Sequence, residues 1–198
     1  MTRFLLVLVF GIVSIQVLAE SNDELIINCK TQYSLGYYKE AYKLCSLAAK
    51  QGYAIAQYNL GVMYDNGEGV TQDYKQAVKW YKLAAEQGDA DAQINLGLMY
   101  DEGKGVTQDY KQAVKWYKLS AEQGHASAQN NLGVLYSNGQ GVTQDNVYAH
   151  IWLNIASSNG NFKATGNRDI VAKRMTKEQI AEAQKLAREC VAKEYMSC

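Results

Sequence analysis

A repeat constrains this chain more than any other feature. Trp80, Trp116 and Trp152 stand 36 residues apart, as do Gly61, Gly97 and Gly133, and Gly69, Gly105 and Gly141. Residues 53–88 match 89–124 at 29 of 36 positions, the substitutions falling at 53/89, 55/91, 58/94, 62/98, 66/102, 68/104 and 84/120. A fixed period of this length marks one supersecondary unit used several times, each copy covering the apolar face that its neighbour would otherwise expose.

Each unit reads as two helices. Ala56, Leu60, Met63 and Tyr64 form one apolar stripe on a helix from Ala54 to Asp65. Asn66-Gly67-Glu68-Gly69 ends it, because glycine enters the left-handed conformations that close a helix without a steric penalty. A second helix starts on Asp73, with Gln76 placed as in a capping box, and buries Ala77, Trp80, Tyr81, Ala84 and Ala85 before Gly88 stops it. The chain has no proline, and no segment alternates polar and apolar residues long enough to make a strand. The expected fold class is all-α, an α/α solenoid of antiparallel helix pairs.

The flanks repeat the pattern incompletely. Tyr38, Ala41, Leu47, Ala48, Ala49 and Gly52 stand 36 residues before their counterparts, with Leu44 at the tryptophan position. Phe162 to Arg174 takes the place of a further first helix without its Leu-Gly pair. Thr176-x-x-Gln179 then caps a last helix reaching about Tyr195, with Lys185, Arg188, Glu189 and Lys193 toward water. The chain divides into a signal peptide (1–19), an N-terminal capping partial repeat (20–52), repeats at 53–88, 89–124 and 125–160, and a C-terminal partial repeat with a capping helix (161–198).

The signal peptide rests on Arg3, the apolar run Phe4 to Val17, and the small-residue pattern Val17-Leu18-Ala19, which predicts a cut after Ala19. The run is shorter than the roughly 20 apolar residues of a spanning helix. The mature chain is expected to be periplasmic or secreted, without stable membrane insertion. Twenty basic residues balance twenty acidic ones, so no overall field draws the protein to nucleic acid or an anionic membrane.

Four cysteines in an exported chain permit disulfides in three connectivities. Cys29 and Cys45 flank the turn near Leu35-Gly36 on antiparallel helices, which brings them within reach of each other. Cys190 and Cys198 would be about 12 Å apart along an unbroken helix, and pair only if the tail folds back; we expect that it does.

The units Leu-Gly-x-x-Tyr-x-x-Gly-x-Gly-Val and Asp-x-x-x-Ala-x-x-Trp-x-x-x-Ala-Ala-x-x-Gly resemble the Sel-1-like repeat, a relative of the tetratricopeptide repeat. The resemblance covers essentially the whole mature chain. It implies a right-handed superhelix acting as a scaffold or adaptor; exported members are similar to envelope proteins that bind sensor domains, host proteins or cell-wall machinery. Thr71, Thr107 and Thr143 depart from the proline often found there, and Asn154 and Ser158 alter the third copy. Some cysteine-rich relatives are described as penicillin-binding or weakly β-lactamase-active, so a β-lactam-binding or peptidoglycan-active enzyme is the alternative. Those relatives carry cysteines in every repeat, whereas Tyr81, Tyr117 and Leu153 occupy the Cys45 position here.

Nothing else points to chemistry. The mature chain has no Ser-x-x-Lys. His125 and His150 lack a second ligand at metal spacing. The acidic pairs Asp65/Glu68 and Asp101/Glu102 sit in turns, where such residues hold the turn itself. The Gly-x-Gly turns follow helices and carry no Gly-Lys-Ser/Thr. No catalytic residue, metal or cofactor is expected.

The expected partner is another protein, bound by a monomer. First helices line the concave wall of such stacks, and positions differing between near-identical copies mark a recognition surface. These are Ile55, Asp91 and Ser127; Tyr58, Ile94 and Asn130; and Val62, Leu98 and Val134, flanked by Gln57, Gln93 and Gln129. The expected role is an exported scaffold of regulatory or immunity type.

Overall fold

The computed structural model describes residues 22–195, and the regular elements among them are all helices. Four helix pairs follow one another: α1 (Asn22–Ser34) with α2 (Tyr38–Lys50), α3 (Ala54–Asn66) with α4 (Tyr74–Glu86), α5 (Ala90–Glu102) with α6 (Tyr110–Ala121), and α7 (Ala126–Asn138) with α8 (Asn146–Ser158). They end in α9 (Phe162–Ala172) and α10 (Lys177–Ala192). Each helix packs against its own partner, and each second helix packs against the first helix of the next unit. The result is the expected solenoid of helix pairs.

Local chemistry fixes each boundary. Gly67, Gly103 and Gly139 close the first helices in the left-handed conformation, and the Gly67 N–H reaches back to the Met63 carbonyl. The second glycine of each turn performs a different task. A Cβ on Gly69, Gly105 or Gly141 would run into the backbone carbonyl of Tyr38, Tyr74 or Tyr110, the first residue of the preceding unit's second helix. These glycines therefore set the spacing between units. Asp73 accepts from the N–H groups of Lys75 and Gln76, which is one half of the expected capping box; both halves close at Thr176 and Gln179.

The position shared by residues 29, 65, 101 and 137, and its partner shared by 45, 81, 117 and 153, hold each pair together. Tyr81 and Tyr117 donate to Asp65 and Asp101 at 3.2 and 3.1 Å. In the first pair the same two positions carry Cys29 and Cys45, joined as a disulfide with Cα atoms 4.9 Å apart. In the fourth they carry Ser137 and Leu153. Facing the tyrosines stand Gly61 and Gly97, where a Cβ would come within 2.6 Å of the ring. The first pair has the smaller Cys45 here, and Leu25 replaces the glycine, buried to 4% exposure. Residues 22–52 thus carry a helix pair in phase with the others.

The disulfide closes a loop with a sequence separation of 16, which restricts the unfolded chain by about 3 kcal/mol. Replacing Cys29 and Cys45 by serine is expected to lower stability by about 2–4 kcal/mol. Hydrogen exchange should then quicken in α1 and α2 while α5 to α8 keep their protection. Equal loss throughout the chain would contradict this.

The C-terminal end departs from the regular stack. α9 takes a first-helix place, but α10 lies along α8 and not along α9. Ala183, Ala187 and Cys190 are buried with Ile151, Trp152 and Ile155. The cause is visible in α8: Val147, Ile151 and Asn154 replace Lys75, Lys79 and Lys82 of α4, because covering three ammonium groups with a helix would strip their hydration. After α10 the chain reverses through left-handed Glu194 and Tyr195, with the Tyr195 N–H on the Cys190 carbonyl. The proposed signal peptide and Cys198 lie outside the described residues.

Candidate protein-binding groove

The structure sorts the candidate groove residues into two groups. Gln57, Gln93 and Gln129 are 4%, 3% and 0% exposed. Each donates to the carbonyl of Ala49, Ala85 or Ala121 at the end of the preceding second helix. Each accepts in turn from Gln87, Gln123 or Asn159 at the end of its own unit. They are amide clamps between units and present no surface to a partner. Ile94 and Asn130 are also buried, at 7% and 8%, so five of the residues expected on the recognition surface, Gln57, Gln93, Gln129, Ile94 and Asn130, belong to the packing. Gln57, Gln93 and Gln129 are the same residue in all three copies, whereas Ile94 and Asn130 stand where the second pair has Tyr58.

Ile55, Asp91 and Ser127 remain exposed at one repeated position, with Ile55 at 49%. Tyr58 is half-buried beside the Tyr81 ring, with centroids 6.1 Å apart, and burial pushes its hydroxyl pKa up. Asp91 meets His125 Nε2 at 3.2 Å, which ties two adjacent units at the rim of the wall. The series Val62, Leu98 and Val134 is partly buried and ends in Ile170, 52% exposed.

Sequence reasoning missed a row of amides. Asn59, Asn95, Asn131 and Asn167 recur at the 36-residue period on α3, α5, α7 and α9. Asn95 engages Tyr58 and Tyr81, Asn131 engages Tyr117, and Asn167 donates to Asn130 at 2.9 Å. An asparagine kept in every copy of a helix interior, where its propensity is poor, was the available signal.

Charge is segregated although the chain is neutral. α3, α5 and α7 contain no lysine or arginine and carry Asp65, Asp91, Asp101 and Glu102. α2, α4 and α6 each carry three lysines, such as Lys75, Lys79 and Lys82 of α4. Lys79 and Lys115 lie over the rings of Trp80 and Trp116. The absence of an overall field therefore conceals a basic second-helix face beside first helices α3, α5 and α7 that carry no cation.

The titratable groups of the interior serve structure. Burial raises the pKa of Asp65 and Asp101, opposed by the hydrogen bonds from Tyr81 and Tyr117. Glu68 accepts from Tyr33 at 2.7 Å. Asp65, Asp101 and Glu68 thus join helices to one another, a wider task than the turn-holding expected of them. His150 is 2% exposed, and burial lowers its pKa, which keeps it neutral. Among the described residues no cluster of His, Cys, Asp and Glu could hold a metal.

The model of the Sel1 repeat matches residues 32–53, 54–89, 90–125 and 126–161. A crystal structure of c5321, a protective antigen of uropathogenic Escherichia coli strains with an SLR fold, superposes with a TM-score of 0.74 at 34% identity, covering 85% of this chain. The chain spans only 39% of that protein. A Sel1 repeat protein from Oxalobacter formigenes gives 0.72 at 31% identity, covering 83% of this chain and 70% of its own. A putative Sel1 repeat protein from Klebsiella pneumoniae shares the fold at 21% identity, with a TM-score of 0.51 and coverage of 77% and 78%. No curated protein matches the chain. Four in-phase matches over most of the chain, on an α/α solenoid with the same spacing, place it: the chain belongs to the Sel1 repeat family, generally protein–protein interaction scaffolds.

Proposed function

We propose that the protein is an exported, monomeric scaffold that holds a segment of a partner protein along the wall formed by α3, α5, α7 and α9, in a regulatory or immunity role at the envelope. The carrying observation is where divergence remains at the surface. Units two and three keep 29 of 36 residues, yet the exposed position 55, 91 and 127 is Ile, Asp and Ser. Ile55 and Ser127 face water, so packing does not demand their difference, while Asp91 also meets His125 of the next unit.

Export is supported by the leader-like residues 1–19, by the Cys29–Cys45 disulfide, and by the lack of a helix long and apolar enough to cross a membrane among the described residues. A second bridge, Cys190 to Cys198, belongs to the same proposal.

Residues 20–198 immobilised on resin are expected to retain one protein from envelope extracts. Ile55→Asp combined with Asp91→Arg should reduce retention more than tenfold without lowering helicity. Lys79→Glu with Lys115→Glu should leave it unchanged. Loss through the lysine variant alone would overturn the assignment of the wall.

A further inference from the structure

The last interval of the wall differs from the earlier ones at one repeated pair of positions and holds a cavity. In units two and three the space beneath the wall is filled by Tyr81 and Tyr117, each bonded to an aspartate. In the fourth pair that tyrosine is Leu153 and that aspartate is Ser137. The exchange removes a ring and a negative charge together. A cavity of about 190 Å³ lies between α7 and α9, room for an aliphatic side chain together with a carboxylate.

Its lining is amphipathic. Leu153 and Ile170 supply apolar walls, and Ser137, Asn138, Asn167 and Arg174 supply polar groups. Arg174 donates from Nη1 to the Ser137 oxygen at 3.4 Å. No carboxylate lines the cavity, and the nearest acidic neighbour on α9, Asp169, is paired with Arg168 at 2.9 Å. Asn138 and Asn167 already donate to Gln140 and Asn130, which leaves the Arg174 guanidinium beside apolar Val134 and Ile170; that pairing matches a ligand with a carboxylate next to an aliphatic group.

We infer that this cavity binds the C-terminal residue of the partner segment, an aliphatic residue with a free carboxylate. The side chain seats on Val134 and Ile170 above the buried Leu153, and Arg174 receives the carboxylate. The inference rests on the reading of the wall as a peptide-binding groove and adds its ligand chemistry and direction: the bound segment ends at α9. A carboxylate from an internal aspartate or glutamate shares the charge but lacks the terminal geometry, and the test separates them.

Residues 20–198 are passed over two immobilised random octapeptide libraries, identical except that one ends in free carboxylates and the other in amides. The free-acid library is expected to retain the protein at least tenfold better, with Leu, Ile, Val or Met enriched at the last position. Arg174→Gln should erase the difference. Ser137→Asp with Leu153→Tyr restores the pair of units two and three opposite Gly133, so it should fold at least as stably and still lose the free-acid preference. Equal retention on both libraries would overturn the terminal-carboxylate site while leaving the groove standing. Enrichment of internal Asp or Glu on both would do the same. No retention on either, combined with no captured envelope protein, would overturn the groove itself.

Discussion

Tyr117→Ala is expected to destabilise the protein by about 3–5 kcal/mol, the range for deleting a buried aromatic ring. Tyr117 is 0% exposed and sits in the centre of the third pair, against Gly97 and Asp101. The ring cannot be replaced by collapse of its surroundings, because Gly97 has no side chain to move into the void. Removal also strips Asp101 of the hydroxyl that offsets its burial, and burial already raises its pKa. Tyr117→Phe keeps the ring and removes only the hydroxyl, so a smaller loss of about 1–2 kcal/mol is expected. Urea unfolding followed by far-ultraviolet circular dichroism measures both. A loss below 1 kcal/mol for the alanine variant would show that the Gly–Tyr–Asp arrangement does not hold the pair.

The second large effect concerns the spacing between units. Gly105→Val places a branched side chain at φ 70°, against the Tyr74 carbonyl and the Lys75 N–H of the preceding unit. Those obstacles are backbone atoms in the first turn of a helix and cannot swing aside. We expect a loss of about 3 kcal/mol or more, the sum of the left-handed penalty and overpacking. Gly88→Ala is the control. Gly88 has φ 94° with nothing within 4 Å of an added Cβ, so only the conformational penalty of about 1–2 kcal/mol applies. Thermal unfolding of both variants tests the distinction. Equal losses would mean that the turn glycines serve conformation alone and do not set the stacking distance.

The fold was legible because the repeat aligns each copy with the next, so Gly61, Trp80 and their counterparts declare themselves as packing residues. The Cys29–Cys45 pairing was legible from the turn between them, although not that it substitutes for the Asp65–Tyr81 bond two helices later. That equivalence was written in the period, since 29 and 65 differ by 36. The glutamine clamps were misjudged because a polar residue on a short helix looks solvent-facing in a single unit. Only the stack shows that Gln93 lies between two units and spends both ends of its amide on them. The placement of α10 on α8 was readable in principle, from the loss of lysines in the third copy of the second helix.

The assignment of the wall is tested most directly by site-specific photocrosslinking in envelope extract. Benzoylphenylalanine is placed singly at Ile55, Asp91 or Ser127 on the first helices, and at Lys79 or Lys115 on the second helices, all exposed positions. Crosslinks to one protein from the first three sites and none from the lysine sites are expected. Crosslinks confined to Lys79 and Lys115 would move the interaction to the basic second-helix face and contradict the groove.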